Sequence, residues 1–261
     1  MSMWQVFDKL LQDIEVHAGQ AVTRVEEWVS AGDGRRTWEV RTADGARRTG
    51  FHRVVFASNA RHVAEVLYPL GFAAKALLLG VDYTQEKDPS FTKGIIHSDQ
   101  EVLPADCREE LLANYANYIG AEIRGGSAEG GAVRTEHVNT FILSSWYPAA
   151  QSAGDGRPRL VTYNCAEMPR GVVGEVENQW NHPHLCLGNL ISSSMLQLLQ
   201  GHHGVYFCGS FATPGNGHDL SLCSGMAVAV AMGAEYPFMR DPDCARDFKK
   251  LQALMGVRDG P

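Results

Sequence analysis

From Val205 the chain reads Val205-Tyr-Phe-Cys-Gly-Ser-Phe211, and a little further Pro214-Gly-Asn-Gly-His-Asp-Leu-Ser-Leu-Cys-Ser-Gly-Met-Ala-Val-Ala229. No other stretch narrows the choice of folds as much. A short apolar run closed by glycine is a strand buried on both faces. The Gly-rich stretch after it is a loop, and the apolar residues beyond it are a helix whose first turn is expected to carry Ser224 and Gly225. A strand, a Gly-rich loop and a helix N-terminus together bring bare backbone N–H groups up to an anionic or polar group. The sequence contains no Gly-x-Gly-x-x-Gly, the turn that would hold a dinucleotide's pyrophosphate.

The N-terminal part extends the α/β pattern. Val6, Leu10, Leu11 and Ile14 recur at helical spacing. Gln20–Val29 and Thr37–Thr42 read as two strands of a hairpin across Gly32-Asp33-Gly34, and Asp44-Gly45 begins another turn. Arg53–Ala60 holds a buried strand, followed by a short helix from Arg61 to Leu67. From Lys75 the pattern changes to separated strands at Ala76–Tyr83, Gly94–His97, His137–Ser144 and Leu160–Asn164, which suggests an antiparallel sheet in a second domain. Gly120–Val133 and Gln151–Pro158 read as loops, the first a flexible Gly-rich insertion. Ser192-Ser-Ser194 falls in a helix, with Asn189 as its cap and Leu190, Met195, Leu196 and Leu199 packing inward.

A net charge of −7 with scattered Lys and Arg argues against nucleic acid as a partner. The six cysteines, at 107, 165, 186, 208, 223 and 244, show no Cys-x-x-Cys spacing, so reduced thiols and an intracellular, reducing compartment are expected. The first residues lack the basic and apolar regions of a signal peptide, and no apolar run is long enough for a transmembrane segment.

Several segments resemble the C-terminal half of FAD-dependent amine-oxidase-like (predicted NAD/FAD-binding) oxidoreductases, in particular a subgroup sometimes fused to cyclopropane-fatty-acid synthases. The likeness is carried by Val22 and Val25, by Val54, Val55 and Ala57, by Ile96–Pro104, by Asn114–Tyr118, by His182-Pro183 and by the Gly209 to Gly225 motif. It runs from about residue 5 to about 236. It implies an α/β fold in which an incomplete FAD-binding (Rossmann-like) unit lacks its first βαβ, joined to a mainly antiparallel substrate-type sheet domain. The expected boundaries are 1–72 with 185–240 for the first, 73–184 for the second, and a C-terminal tail at 241–261. The resemblance also implies cofactor contacts at Val22, Ala57, Gly209, Ser210, Gly217, His218, Asp219, Ser224 and Gly225.

The same segments depart from the family where the flavin would lie. Leu220 replaces an Asp, Ser221 replaces a Gly, and Ser145-Trp-Tyr-Pro148 lacks the family's Asn; Tyr163-Asn-Cys165 keeps Asn164 but lacks the Pro. Losing three charge-assisted phosphate or ribose contacts weakens nucleotide binding by a factor on the order of 10³–10⁶. FAD is therefore expected only if an N-terminal half completes the site.

Other chemistry has less support. Five of the ten histidines (182, 184, 202, 203 and 218) lie close together in sequence but without metal-like partners, so no metal is expected. Cys208 or Ser210 beside His218 does not form a nucleophile elbow. His97 and Asp99 read either as substrate-orienting groups or as turn residues. The resulting expectation is a non-catalytic interaction or scaffold subunit of a multi-subunit assembly, a pseudoenzyme whose open sheet edge a protein partner covers. The alternative is the C-terminal portion of an FAD-dependent oxidoreductase, completed by an N-terminal segment or partner chain.

Overall fold

A computed structural model describes residues 3–29, 34–83, 93–124, 134–146, 156–163, 165, 167–177, 182–215 and 217–258. In chain order the elements begin with α1 (Met3–Leu10), β1 (Val22–Val29), β2 (Arg36–Thr42), β3 (Arg47–Phe51), β4 (Val54–Phe56), α2 (Ala60–Val66), β5 (Leu67–Tyr68) and α3 (Phe72–Leu79). Next come β6 (Lys93–His97), α4 (Arg108–Asn114), β7 (Asn117–Arg124), β8 (Arg134–Ile142), α5 (Leu143–Trp146), β9 (Leu160–Tyr163) and β10 (Val172–Glu177). The last are α6 (Leu187–Leu196), β11 (Val205–Phe207), α7 (His218–Ala231) and α8 (Pro242–Met255). The chain divides into two compact units, Met1–Val81 with Pro183–Pro261, and Asp82–His182.

In the first unit β3-β2-β1-β5 form one sheet and β11-β4 a second. The β2–β3 turn forms where Asp44-Gly45 predicts it. Gly45 takes φ 85°, Gly45 N–H donates to Thr42 O at 3.0 Å, and Asp44 Oδ1 accepts from the Thr42 hydroxyl and from Ala46 N–H. On this sheet Glu39 is fully buried between Arg41 and Arg47, and Arg41 and Arg24 both pair with Glu26. The Arg24 guanidinium also lies 4.3 Å from the centre of the Tyr68 ring on β5. Helix α2 starts where the Asn59 side chain accepts from Arg61 N–H at 2.9 Å, and it buries Ala60, Val63, Ala64 and Val66.

β4 and β11 run parallel, pairing Val54 with Val205, Val55 with Tyr206 and Phe56 with Phe207. The rings of Phe56 and Phe207 stack with centroids 6.0 Å apart. Residues 241–261, read from sequence as a tail, carry the 14-residue helix α8. Asp241 caps it, Pro242 opens it, and Gly256 at φ 66° closes it. Its Phe248 stacks on Tyr236 at 3.7 Å and buries with Leu251 and Met255, so α8 belongs to the core of the first unit.

The second unit is a five-stranded, wholly antiparallel sheet in the order β10-β6-β9-β8-β7. Register places Ile95 opposite Thr162, His97 opposite Leu160, Thr140 opposite Thr162 and Ile142 opposite Leu160, so all six share one face. All six are buried.

Several local expectations change. The segment Ala76–Tyr83 is not a strand; Phe72–Leu79 is helix α3, framed by Gly71 and Gly80. Its Ala, Lys and Leu residues are strong helix formers with no β-branched member, whereas apolar run length alone does not separate helix from strand. Gly120–Arg124, taken as loop, belongs to β7, while 125–133 and 151–155 lie outside the described residues. In α6 the cap is Cys186 rather than Asn189, whose amide donates to His184 O at 2.8 Å from inside the helix. Ser192, Ser193 and Leu196 are the buried residues of α6, and Leu190 and Met195 are exposed.

Candidate functional site

The C-terminal ends of β4 and β11 converge. Cys208 N–H donates to Phe56 O at 2.9 Å, adding one rung to the parallel pair. Gly209 then takes φ 99°, a left-handed conformation that glycine adopts without strain. An added Cβ there would lie 3.8 Å from Ala57 O, so the two strand ends remain neighbours. Ligands of open α/β sheets bind at this end of parallel strands.

Ser224 ties the strand end to the helix. Its hydroxyl, fully buried, accepts from Gly209 N–H at 2.8 Å and donates to Ser221 O at 2.6 Å. Ser221 Oγ and N–H both donate to Gly217 O, at 3.1 and 3.0 Å. Helix α7 begins at His218 and not at Ser224, so Ser224 and Gly225 sit in its second and third turns. The sequence expectation of a first-turn Ser-Gly is therefore corrected. The Gly-rich loop is shorter than its composition suggested, because Leu220 and Ser221 continue the helix. An added Cβ on Gly225 meets nothing within 4 Å, so close packing does not demand glycine at that position.

Gly217 precedes α7 without a side-chain cap, and Asp219 folds back over this turn: a Cβ on Gly217 would collide with Asp219 Oδ1. The carboxylate thus stands at the positive end of the helix. Of the nine residues expected at the cofactor, Ala57, Gly209, Ser210, Gly217, His218, Asp219, Ser224 and Gly225 lie on the β4–β11 pair and the loop and helix that follow it. Val22 does not join them. It opens β1 in the other sheet, paired with Thr42. Asn164, Asn216 and residues 147–148 lie outside the described residues.

Among the described residues, those at this strand end do not form a pyrophosphate cradle. The Gly209 amide already has an acceptor, and the first turn of α7 faces a carboxylate. Among the described residues no three His, Cys, Asp or Glu side chains come together as a metal site, and no helix is long and apolar enough to cross a membrane. His203 instead binds Glu27 through Nδ1 at 2.5 Å, stacks on His202 at 4.3 Å, and accepts from Trp38 Nε1 through its carbonyl. Burial pushes the Cys208 thiol up, which suits a core residue and not a nucleophile.

His97 and Asp99 serve the fold of the second unit. Asp99 N–H donates to His97 Nδ1 at 3.1 Å, which leaves Nε2 to donate to Thr162 Oγ1 at 2.8 Å. Thr162 Oγ1 lies 2.9 Å from Thr140 Oγ1. Asp99 caps the 3-10 turn at Gln100–Val102 and accepts from Arg170 N–H at 2.8 Å. Those backbone donors hold its carboxyl below the usual range. Alternating strand positions alone could not have revealed this polar chain, because its members come from three strands.

A parallel strand pair followed by a glycine-hinged loop and helix, with an antiparallel sheet unit on the same chain, makes a mixed α/β fold of flavoprotein-like type. The solved structure of reduced UDP-galactopyranose mutase aligns over 99% of this chain, with a TM-score of 0.54 and 10% sequence identity. Only 55% of that mutase is covered, so the chain spans about half its length. At such identity the likeness is one of fold. The sequence matches no protein-family model and no curated protein.

Proposed function

We propose that this chain is a non-catalytic interaction subunit of a larger assembly, built on the flavin end of an FAD-binding fold. The observation that carries this reading is the β4–β11 pair. Two parallel strands of three residues form a sheet of their own, and no third strand flanks them among the described residues. Parallel strands are normally buried inside larger sheets, and an open edge is a template for another chain. Val55, in the middle of β4, is exposed. A partner protein that adds strands here would satisfy the open edge. The six free thiols suit an intracellular, reducing compartment.

Purified chain mixed with FAD, then desalted, tests the reading. Retention of about one flavin per chain, seen by its visible absorbance, would falsify it; a colourless protein is expected.

A second reading is favoured by the meeting of Ala57 and Gly209 at the ends of two parallel strands. In it, the chain is the C-terminal portion of an FAD-dependent oxidoreductase, completed by an N-terminal segment or partner. Bound FAD would supply hydride-accepting chemistry. Ala57, Gly209, Ser210 and Gly217 would approach its flavin end, and a separate βαβ would hold the pyrophosphate. Co-expression with a Gly-x-Gly-x-x-Gly βαβ segment separates the two readings: a yellow complex favours the oxidoreductase and a colourless one the interaction subunit.

A further inference from the structure

Beside the strand-end site lies a cavity of about 250 Å³ between the start of α6 and the loop after β11. We infer that it is a binding pocket for an uncharged apolar group of about eight non-hydrogen atoms, either an aryl ring or a short alkyl chain. This goes beyond the function proposed above. The pocket shares Ser210 with the strand-end site but not Gly209, Gly217 or Ser224.

The walls set the chemistry. Val81, Pro183, Leu190, Phe211 and Pro214 present carbon surface, and Cys186 adds one polarizable thiol. Three of the polar groups there, on Asn189, Leu190 and Thr213, are turned onto neighbouring protein groups, while the His184 ring and the Ser210 hydroxyl also line the pocket. Asn189 Nδ2 donates to His184 O at 2.8 Å, and Leu190 N–H donates to Cys186 O at 3.1 Å. The Thr213 hydroxyl lies 2.9 Å from Gly215 O and 3.2 Å from Ser210 O. A charged or sugar-like ligand would shed its hydration without gaining these groups as partners. An apolar one would bury carbon against carbon. The space accommodates about eight groups of about 30 Å³, the share of one water molecule in the liquid. Leu185 and Leu190 are exposed at its edge, so a ligand can enter from solvent.

Cys186 reports occupancy, because it lines the pocket while exposed Cys244 lies on α8 and is not among the lining residues. The full chain is alkylated with limiting N-ethylmaleimide, and each cysteine is followed by peptide mass spectrometry. Ethylbenzene probes the aryl case, 1-heptanol the alkyl case, and glycerol serves as polar control. Either apolar probe at about 1 mM should slow Cys186 about fivefold and leave Cys244 unchanged, the affinity range for ligands of this size. Protection by one probe alone assigns the class. Leu190→Trp should fill the cavity, slow Cys186 without any probe and abolish the probe effect. If that variant does not fold, the wild-type melting temperature replaces it, rising with an apolar probe and not with glycerol. Equal slowing of both cysteines, protection by glycerol, or no protection by either apolar probe would overturn the assignment.

Discussion

Glu39 and His97 are both sealed from solvent within a β-sheet, yet one is charged and the other neutral. Glu39, on β2, receives Arg47 Nη2 at 2.7 Å and Arg41 Nε at 2.5 Å, and these bonds, Arg47 first, hold its carboxyl below the usual range. His97, on β6, has a threonine hydroxyl and a backbone N–H as partners, and burial pushes its imidazole down, to the neutral form. The arginines make the difference. Their side chains are 54% and 39% exposed for Arg47 and Arg41, so the cations keep part of their hydration while their tips neutralise Glu39. No cation or anion bonds to the His97 ring among the described residues; the nearby Asp99 carboxylate favours the charged form, but burial outweighs it. A sheet buries charge where long side chains can reach out of it, and otherwise buries a neutral chain.

The largest expected effect comes from breaking the neutral chain. Thr162→Val keeps the shape but leaves His97 Nε2–H without its acceptor, at a cost of about 1–3 kcal/mol. Urea unfolding followed in the second unit measures it, and an unchanged midpoint would show that another group accepts the proton.

Acidification should separate the two sheets. The unfolded chain protonates His97 near its ordinary 6.5, while the folded chain resists until lower pH. The unfolded state therefore binds more protons in that window, and stability falls as pH drops below about 6.5. Glu39 works in the same direction further down. Its stabilisation is present above the ordinary 4.5 and is lost as pH falls through the lower folded value. Hydrogen exchange should show β6 and β9 losing protection first, and β2 and β3 only below about 4.5. Simultaneous loss would mean that the two regions are not distinct in this respect.

Glu39→Gln sharpens the same contrast. It should flatten the acid limb of β2 and β3 and leave that of β6 and β9 unchanged, with a smaller loss at neutral pH because both arginines can turn to water. The smallest effect is that of salt. Moving from about 0.01 to about 1 M ionic strength should weaken the Glu39 and Glu26 pairs slightly and leave the His97 chain unaffected, as read from segment-resolved exchange.

Much of the candidate site could be read from residues in sequence. The apolar run into Gly209 and the glycines at 215 and 217 mark strand and loop by local chemistry, and the structure puts Gly209 next to Ala57. The start of α7 was less legible, since His218-Asp-Leu-Ser221 reads equally as loop or first turn until Ser221 bonds back to Gly217. The engagement of the Gly209 amide by Ser224, fifteen residues away, has no signature in either residue's neighbourhood.

Turn chemistry and apolar runs were enough to establish the two strands over Gln20–Val29 and Thr37–Thr42, the Asp44-Gly45 turn after them, the strands that hold Val54 and Val205, and the α/β class, because those signals act over a few residues. Packing decided that α6 buries Ser192 and Ser193 while exposing Leu190, and that Asn189 does not cap it. An apolar or small polar side chain carries no record of which neighbour will cover it. That choice is made by segments distant along the chain, through the area and hydrogen bonds they bring to one face.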